Sequence, residues 1–228
     1  MKIALFSDIH GNADALEIAL DSLRTYDCKT ILIAGDSVGY YYEVDRVIKL
    51  LSEFDIHLVR GNHEEMLRNF VHFGEDPDVT KKYGTSLKLA LRDLSKTDLD
   101  LLITSPLVLS LDFEGIAINI SHGSPWKIDE YIYPDSDFEK LNKFLSYKEQ
   151  YFVIGNTHHQ MIRRYRGKVI INPGSIGQSR TDKNMVQWAE LETQNRDIIF
   201  KSVPYDSSRL LKQILENDPE NTLLRKFH

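Results

Sequence analysis

The first sixty residues alternate between two hydrophobic periods. Residues 2–6 (KIALF) form a short apolar run, whereas 13–24 (ADALEIALDSLR) place Ala15, Leu16, Ala19, Leu20 and Leu23 on one face at helical spacing. Thr30–Ala34 is a second short run, Val44–Leu51 a second helical stretch, and Ile56–Val59 a third run. Short strands alternating with helices through brief connections predict a parallel sheet with helices packed on it. Helical patterning then dominates 64–105, broken by the turn signal Gly74-Glu75-Asp76-Pro77. Beyond it the period returns to that of strands. These are expected at 107–111 and 116–121 around Asp112-Phe113-Glu114-Gly115, at 151–154, at 161–165 and 168–171 around Arg166-Gly167, and as a final pair at 185–190 and 197–203. Helices are expected over 137–146, capped by Asp135 or Ser136, and over 207–216. No repeat, low-complexity tract or linker interrupts the pattern, so residues 1–228 are expected to form one α/β domain with a helical lobe around 64–105.

Composition narrows the class. With 42% hydrophobic and 27% charged residues, the chain has the balance of a folded protein and not of a disordered or collagen-like one. The lone Cys28 cannot form an internal bridge, and the opening MKIALFSDIHGN meets an acid and a histidine too early for a secretory signal, so a cytoplasmic location is expected. No stretch approaches the roughly 18–20 apolar residues of a membrane span. A net charge of −6 argues against broad nucleic-acid binding, which depends on Lys and Arg facing phosphates. It leaves room for a small anionic substrate beside a local cation.

The chemistry gathers at the strand ends, where α/β sheets place their ligands. Asp8, His10 and Asn12 follow the first run, Asp36 the second, and Asn62, His63 and Glu64 the third; His122 follows 116–121, and Asn156, His158 and His159 follow 151–154. Singly, each has an ordinary reading: Asp8 as a turn or cap, Asp36 as half of a Gly-Asp turn, His122 as a satisfied strand-end histidine. Together they offer carboxylate oxygen, amide oxygen and imidazole nitrogen without thiolate, a donor set that suits Mn²⁺, Fe or Zn²⁺. A carboxylate such as Asp36 can bridge two ions, and two ions about 3.5–4 Å apart can clamp a phosphoryl group and acidify a water. Two alternatives find no support, since the chain has no P-loop and Pro173-Gly174-Ser175-Ile176-Gly177 is not a Gly-x-Ser-x-Gly elbow. Asn172–Gln178 is either an anion nest or a plain strand exit. The Tyr40-Tyr41-Tyr42 run can stack a base or pack into core and rim, with packing the expectation. His57 is read as structural, and His72 and His228 as surface.

The ordered motifs SDIHGN (7–12), GDSVGY (35–40), RGNHE (60–64), SHGSP (121–125), NPGSIGQ (172–178) and VPYD (203–206), with Gly-x-Thr-His at 155–158, resemble the calcineurin-like metallophosphoesterases, and most of all their small bacterial and archaeal phosphodiesterase branch. The resemblance implies a four-layer α-β-β-α sandwich of two facing mixed sheets. It implies that Asp8, His10 and His158 hold one metal, that Asp36 bridges, and that Asn62 and His122 hold a second. His63 would stabilise or protonate the leaving oxygen, with Glu64 orienting its imidazole. Arg180 and Asn12 are read as substrate contacts. The expected cofactors are two ions, Mn²⁺ and/or Fe first, with Zn²⁺, Ni²⁺ or Mg²⁺ as alternatives. The expected reaction is hydrolysis of a phosphodiester or related phosphate ester by a metal-activated hydroxide. Nucleotide, dinucleoside polyphosphate or phosphoprotein hydrolysis stands behind it, as does a binding scaffold that has lost turnover. Retention of His63 speaks against the scaffold.

One departure stands out. The family's usual Gly-His-x-His is here Gly155-Asn156-Thr157-His158. Asn156 offers a neutral amide oxygen in place of imidazole, or leaves the position to water, and so weakens the second site or turns it toward a harder ion. His159 lies one residue further on and should point away. Asn156→His is therefore expected to tighten the second ion in a metal titration; equal stoichiometry and affinity in both proteins would refute this.

Overall fold

The computed structural model describes residues 1–26 and 28–226; His228 lies outside the described residues. Strands β1 (Lys2–Phe6), β2 (Thr30–Ile33) and β3 (Asp55–Leu58) pair in parallel, linked by helices α1 (Ala13–Arg24) and α2 (Val44–Leu51). The chain then enters four helices, α3 (Asn62–Phe73), α4 (Pro77–Tyr83), α5 (Ser86–Asp93) and α6 (Lys96–Thr104). Strands β4 (Val108–Phe113) and β5 (Ile116–Ser121) form a hairpin, followed by α7 (Phe138–Lys143), β6 (Tyr151–Val153), β7 (Gln160–Tyr165) and β8 (Lys168–Pro173). Strands β9 (Met185–Glu192) and β10 (Asp197–Pro204) and helix α8 (Ser208–Asn217) complete it.

Two mixed sheets result, with strand orders β10-β9-β1-β2-β3 and β4-β5-β6-β8-β7. Alternation along each strand decides their stacking. Ile3 and Leu5 of β1 face inward and join Leu32, Ile118, Ile120, Val153 and Ile171 in a core between the sheets. Ala4 and Phe6 point outward, onto Leu16, Leu20 and Val47 of α1 and α2. On the far side, Phe152 and Ile170 meet Leu141 of α7 and Phe144. This is the α-β-β-α sandwich, and among the described residues no helix is long and apolar enough to cross a membrane.

Most differences from the sequence reading lie at boundaries. Strand β4 extends to Phe113, because only Glu114 and Gly115 turn the hairpin, both at positive φ (54° and 82°). Two-residue turns of that hand match strand twist, and Arg166-Gly167 repeats the device (46° and 83°). Helix α7 is capped by Asp137, whose carboxylate accepts from the Lys140 N–H at 2.9 Å, and not by Asp135 or Ser136.

The sandwich predicts an asymmetry in urea unfolding. Ile120→Ala, which empties a fully buried position between the sheets, is expected to cost about 2–5 kcal/mol. Ile199→Ala, on the half-exposed face of β10, should stay within about 0.5 kcal/mol.

Candidate metal centre

Five strand ends deliver the site, and three of them share one backbone feature. Asp8, His10, Asp36, Asn156 and His158 all adopt left-handed conformations, with φ of 55°, 52°, 55°, 66° and 59°. Such angles are uncommon outside glycine, although Asn, Asp and His tolerate them best, and they persist where the surroundings over-determine them. Here the turns are laced together. Asp8 N–H donates to Gly35 O (3.0 Å), His10 N–H to Asp36 O (2.9 Å) and Gly177 N–H to Asp8 O (3.0 Å). These turns carry the side chains of Asp8, His10, Asp36 and His158 back over the sheet edge to one point.

At that point Asp8, His10, Asp36, His63, His122 and His158 bring their donor atoms together in three overlapping groups, all buried. His158 Nε2 lies 3.2 Å from Asp8 Oδ1, and His10 Nε2 lies 3.7 Å from Asp8 Oδ1 and 3.9 Å from Asp36 Oδ2. On the other side of Asp36, His122 Nε2 is 3.2 Å from Oδ2 and 3.1 Å from Asn62 Oδ1. Asp36 thus stands between two clusters, each with oxygen and nitrogen donors.

Imidazole orientation is set from behind. Nδ1 of His10, His122 and His158 faces the carbonyls of Val38 (3.2 Å), Ala34 (2.7 Å) and Gln178 (2.6 Å). A proton held at Nδ1 leaves the Nε2 lone pair aimed into the cluster, the usual arrangement behind a metal-ligating histidine. His63 differs, because its buried Nδ1 has no hydrogen-bond partner. Its ring is instead packed by Tyr40 (centroids 5.0 Å apart), by His10 (4.9 Å) and by Tyr83 of α4 (4.7 Å). Nε2 of His63 lies 4.0 Å from Asp36 Oδ2.

Charge in the cluster follows from burial and pairing. Burial would raise Asp36, but His122, His63 and His10 around it hold its carboxyl far below the ordinary range. Burial would lower His122, yet Asp36 and Asp8 push it up to about 10. His63 is taken down to about 4, chiefly by burial. His122, whose charged form the carboxylates favour, faces Asp36, and Asp8 Oδ1 is left with no hydrogen bond. Orphaned carboxylate oxygen, aimed Nε2 lone pairs and absent thiolate fit divalent metal binding.

The remaining expected site residues fall elsewhere. Glu64 does not touch the His63 imidazole: consecutive residues on a helix point about 100° apart. Its carboxylate instead accepts from the backbone N–H groups of Asp36 (2.9 Å), Ser37 (2.6 Å), Val38 (3.2 Å) and Gly61 (2.8 Å), fastening the Asp36 loop to the start of α3. Burial and the Asp36 charge raise its carboxyl to about 7, while these four donors favour the ionised form. Asn12 caps α1 by accepting from Ala15 N–H (3.2 Å) and donates to Gly177 O (2.9 Å) and Tyr205 Oη (3.0 Å), so its amide is engaged in the scaffold. Asn156 donates its amide to Glu130 O (3.0 Å) and its backbone N–H to Asp8 Oδ2 (3.1 Å). His159 turns aside to Tyr133.

The stretch 172–178 is a strand exit and not an anion nest, since four of its N–H groups are taken. Gly174 donates to Asn172 Oδ1, Ile176 to Ser7 O, Gly177 to Asp8 O and Gln178 to Ser175 Oγ. Arg180 sits at the rim, its Nη2 3.5 Å from Tyr40 Oη. Tyr40, Tyr41 and Tyr42 are all buried. The packing of Tyr83 and Tyr40 on His63 had no sequence signal beyond residue type.

Residues 1–196 match the model of the calcineurin-like phosphoesterase superfamily domain, and the chain belongs to that family. It is 28% identical to the uncharacterised protein MJ0912 of Methanocaldococcus jannaschii over 94% of this chain and 92% of that one. Its fold is shared with a metallophosphoesterase from Sphaerobacter thermophilus (TM-score 0.82, 24% identity, covering 100% of this chain and 98% of that one). It is also shared with an archaeal phosphodiesterase (TM-score 0.57, 15% identity, 89% and 100%).

Close approach at Gly39 gives a test. A Cβ there would lie 2.1 Å from His63 Nδ1, on a backbone at φ +93°. Gly39→Ala is expected to push the His63 ring out of place and to remove most of the activity that depends on it. Circular dichroism should show the fold retained, and turnover equal to wild type would refute the packing argument.

Proposed function

We propose that this chain is a metal-dependent phosphoesterase, acting on a phosphodiester or related small phosphate ester at a dinuclear centre, with Mn²⁺ or Fe as the preferred ions and the cytoplasm as its place of work. Asp8, His10, Asp36 and His158 would hold one ion, and Asp36, Asn62 and His122 the other, with the Asn156 amide oxygen beside the second. Bound divalent ions supply Lewis acidity toward phosphoryl oxygens and lower the pKa of water.

The chain's own groups do the rest. Val38, Ala34 and Gln178 carbonyls keep three imidazoles in the metal-ready tautomer. The Glu64 carboxylate holds the loop that aims Asp36. Asp36 Oδ1 accepts the His63 N–H at 2.9 Å, which anchors the first turn of α3 against the cluster. His63 is the one imidazole of the cluster's four whose Nδ1 is not tied to a carbonyl, and this observation carries the mechanistic reading. A neutral His63 with its proton on Nε2 offers a donor to the leaving oxygen as charge builds there. The Arg180 guanidinium at the rim suits the substrate's non-bridging oxygens.

The test is Mn²⁺-stimulated hydrolysis of a chromogenic phosphodiester by wild type and by His63→Ala. Because general acid catalysis contributes about 10²–10⁴-fold, kcat should fall by that factor while bound metal is retained. Equal rates would overturn the role of His63. No hydrolysis by wild type under any divalent ion would favour a binding scaffold.

A further inference from the structure

The segment between β5 and α7, residues 122–137, passes beside the metal centre and carries two tyrosines side by side. The rings of Tyr131 and Tyr133 lie 6.1 Å apart with planes inclined by only 8°, and the residues are 45% and 37% exposed. Parallel aromatic faces left partly in water gain by being covered with another planar apolar group.

Their placement is built in. Asn156 donates its amide to Glu130 O at 3.0 Å, joining the segment to the turn that also carries His158. Lys140 Nζ donates to Tyr131 O at 3.0 Å and pairs with the Glu130 carboxylate at 2.7 Å. The backbone around Tyr131 is thus held from two directions. The Tyr133 ring meets His159 edge-on, centroids 5.6 Å apart, and His159 is the neighbour of His158. Positive charge lies near the cluster. Lys82 Nζ sits 4.7 Å from the centroid of the Tyr83 ring, and Arg180 Nη2 lies 3.5 Å from Tyr40 Oη; both tyrosines pack on His63. Parallel exposed rings, and beside them a cluster suited to phosphate with cations near it, complement a ligand that is planar at one end and anionic at the other.

We propose that Tyr131 and Tyr133 form a stacking platform for the base of a nucleotide whose phosphate ester lies at the Asp36 centre. This rests on the phosphoesterase reading and adds a substrate class to it. The same Asn156 that departs from the family's histidine anchors the platform to the site.

The experiment compares kcat/KM for adenosine 2′,3′-cyclic phosphate with that for glycerophosphoethanolamine, a diester without a ring. In Tyr131→Ala/Tyr133→Ala the preference for the nucleotide is expected to fall about tenfold or more, in line with the loss of one base–aromatic stack. Tyr131→Phe/Tyr133→Phe should keep the preference, because it keeps the rings. An unchanged preference in the alanine variant, or an equal fall in the phenylalanine variant, would overturn the platform. Binding of adenosine monophosphate to metal-free protein, followed by saturation-transfer NMR, separates the two readings. If wild type hydrolyses neither ester, the phosphoesterase reading fails. Adenine binding by wild type, at least tenfold weaker in the alanine variant, would still support the platform, and its absence from wild type would overturn it.

Discussion

The site depends on strands that end in left-handed turns. A strand alone sends its side chains up and down, away from the sheet's edge, whereas a residue at φ near +55° folds the chain back and aims its side chain across that edge. Asp8, His10, Asp36 and His158 all do this, and the turns hydrogen-bond to one another through Gly35, Asp36 and Asp8 carbonyls. Strain of order 1–3 kcal/mol at each such residue is sustained because neighbouring turns share the bonds that hold them. Loosening one turn therefore disturbs donors contributed by others.

Electrostatics explains why such a centre calls for cations. Two carboxylates lie buried within a ring of imidazoles, and His122, whose protonated form they favour, stands 3.2 Å from Asp36 Oδ2. An ion that replaces that proton relieves the same charge with more ligands, and it finds the Nε2 lone pairs already turned inward by carbonyls at Nδ1. His63 stands apart in this scheme. It is packed by aromatic rings, lacks a carbonyl behind it, and is supported by Tyr83 from the helical lobe. The lobe consequently bears on the site through Tyr83 at the end of α4 as well as through Glu64 in the first turn of α3.

The gathering of donors at strand ends was legible because residue type and position coincide there: Asp, His and Asn stand just beyond short apolar runs. Helix α1 was legible to the residue, since its apolar face repeats cleanly from Ala13 to Leu23. What misled was adjacency in sequence. Glu64 follows His63, yet the helix turns it toward the Asp36 loop. Asn12 lies in the same motif as Asp8 and His10, yet it caps α1 and binds Gly177 and Tyr205 across the sheet. The turn at 172–178 has the glycines of an anion nest, but its N–H groups face Ser7, Asp8 and its own side chains.

By itself the sequence determined the periods that make strands and helices, the order in which donor residues follow the strands, and the exclusion of thiolate from the centre. Those are properties of neighbours along the chain and of side-chain chemistry. Tertiary structure alone decided which atom of each histidine faces inward, which carboxylate stands between the clusters, and that the Asn156 amide meets Glu130 O. These outcomes hang on backbone carbonyls and on contacts between residues more than twenty positions apart. Every residue carries a carbonyl, so nothing in residue identity marks the few that folding brings behind an imidazole.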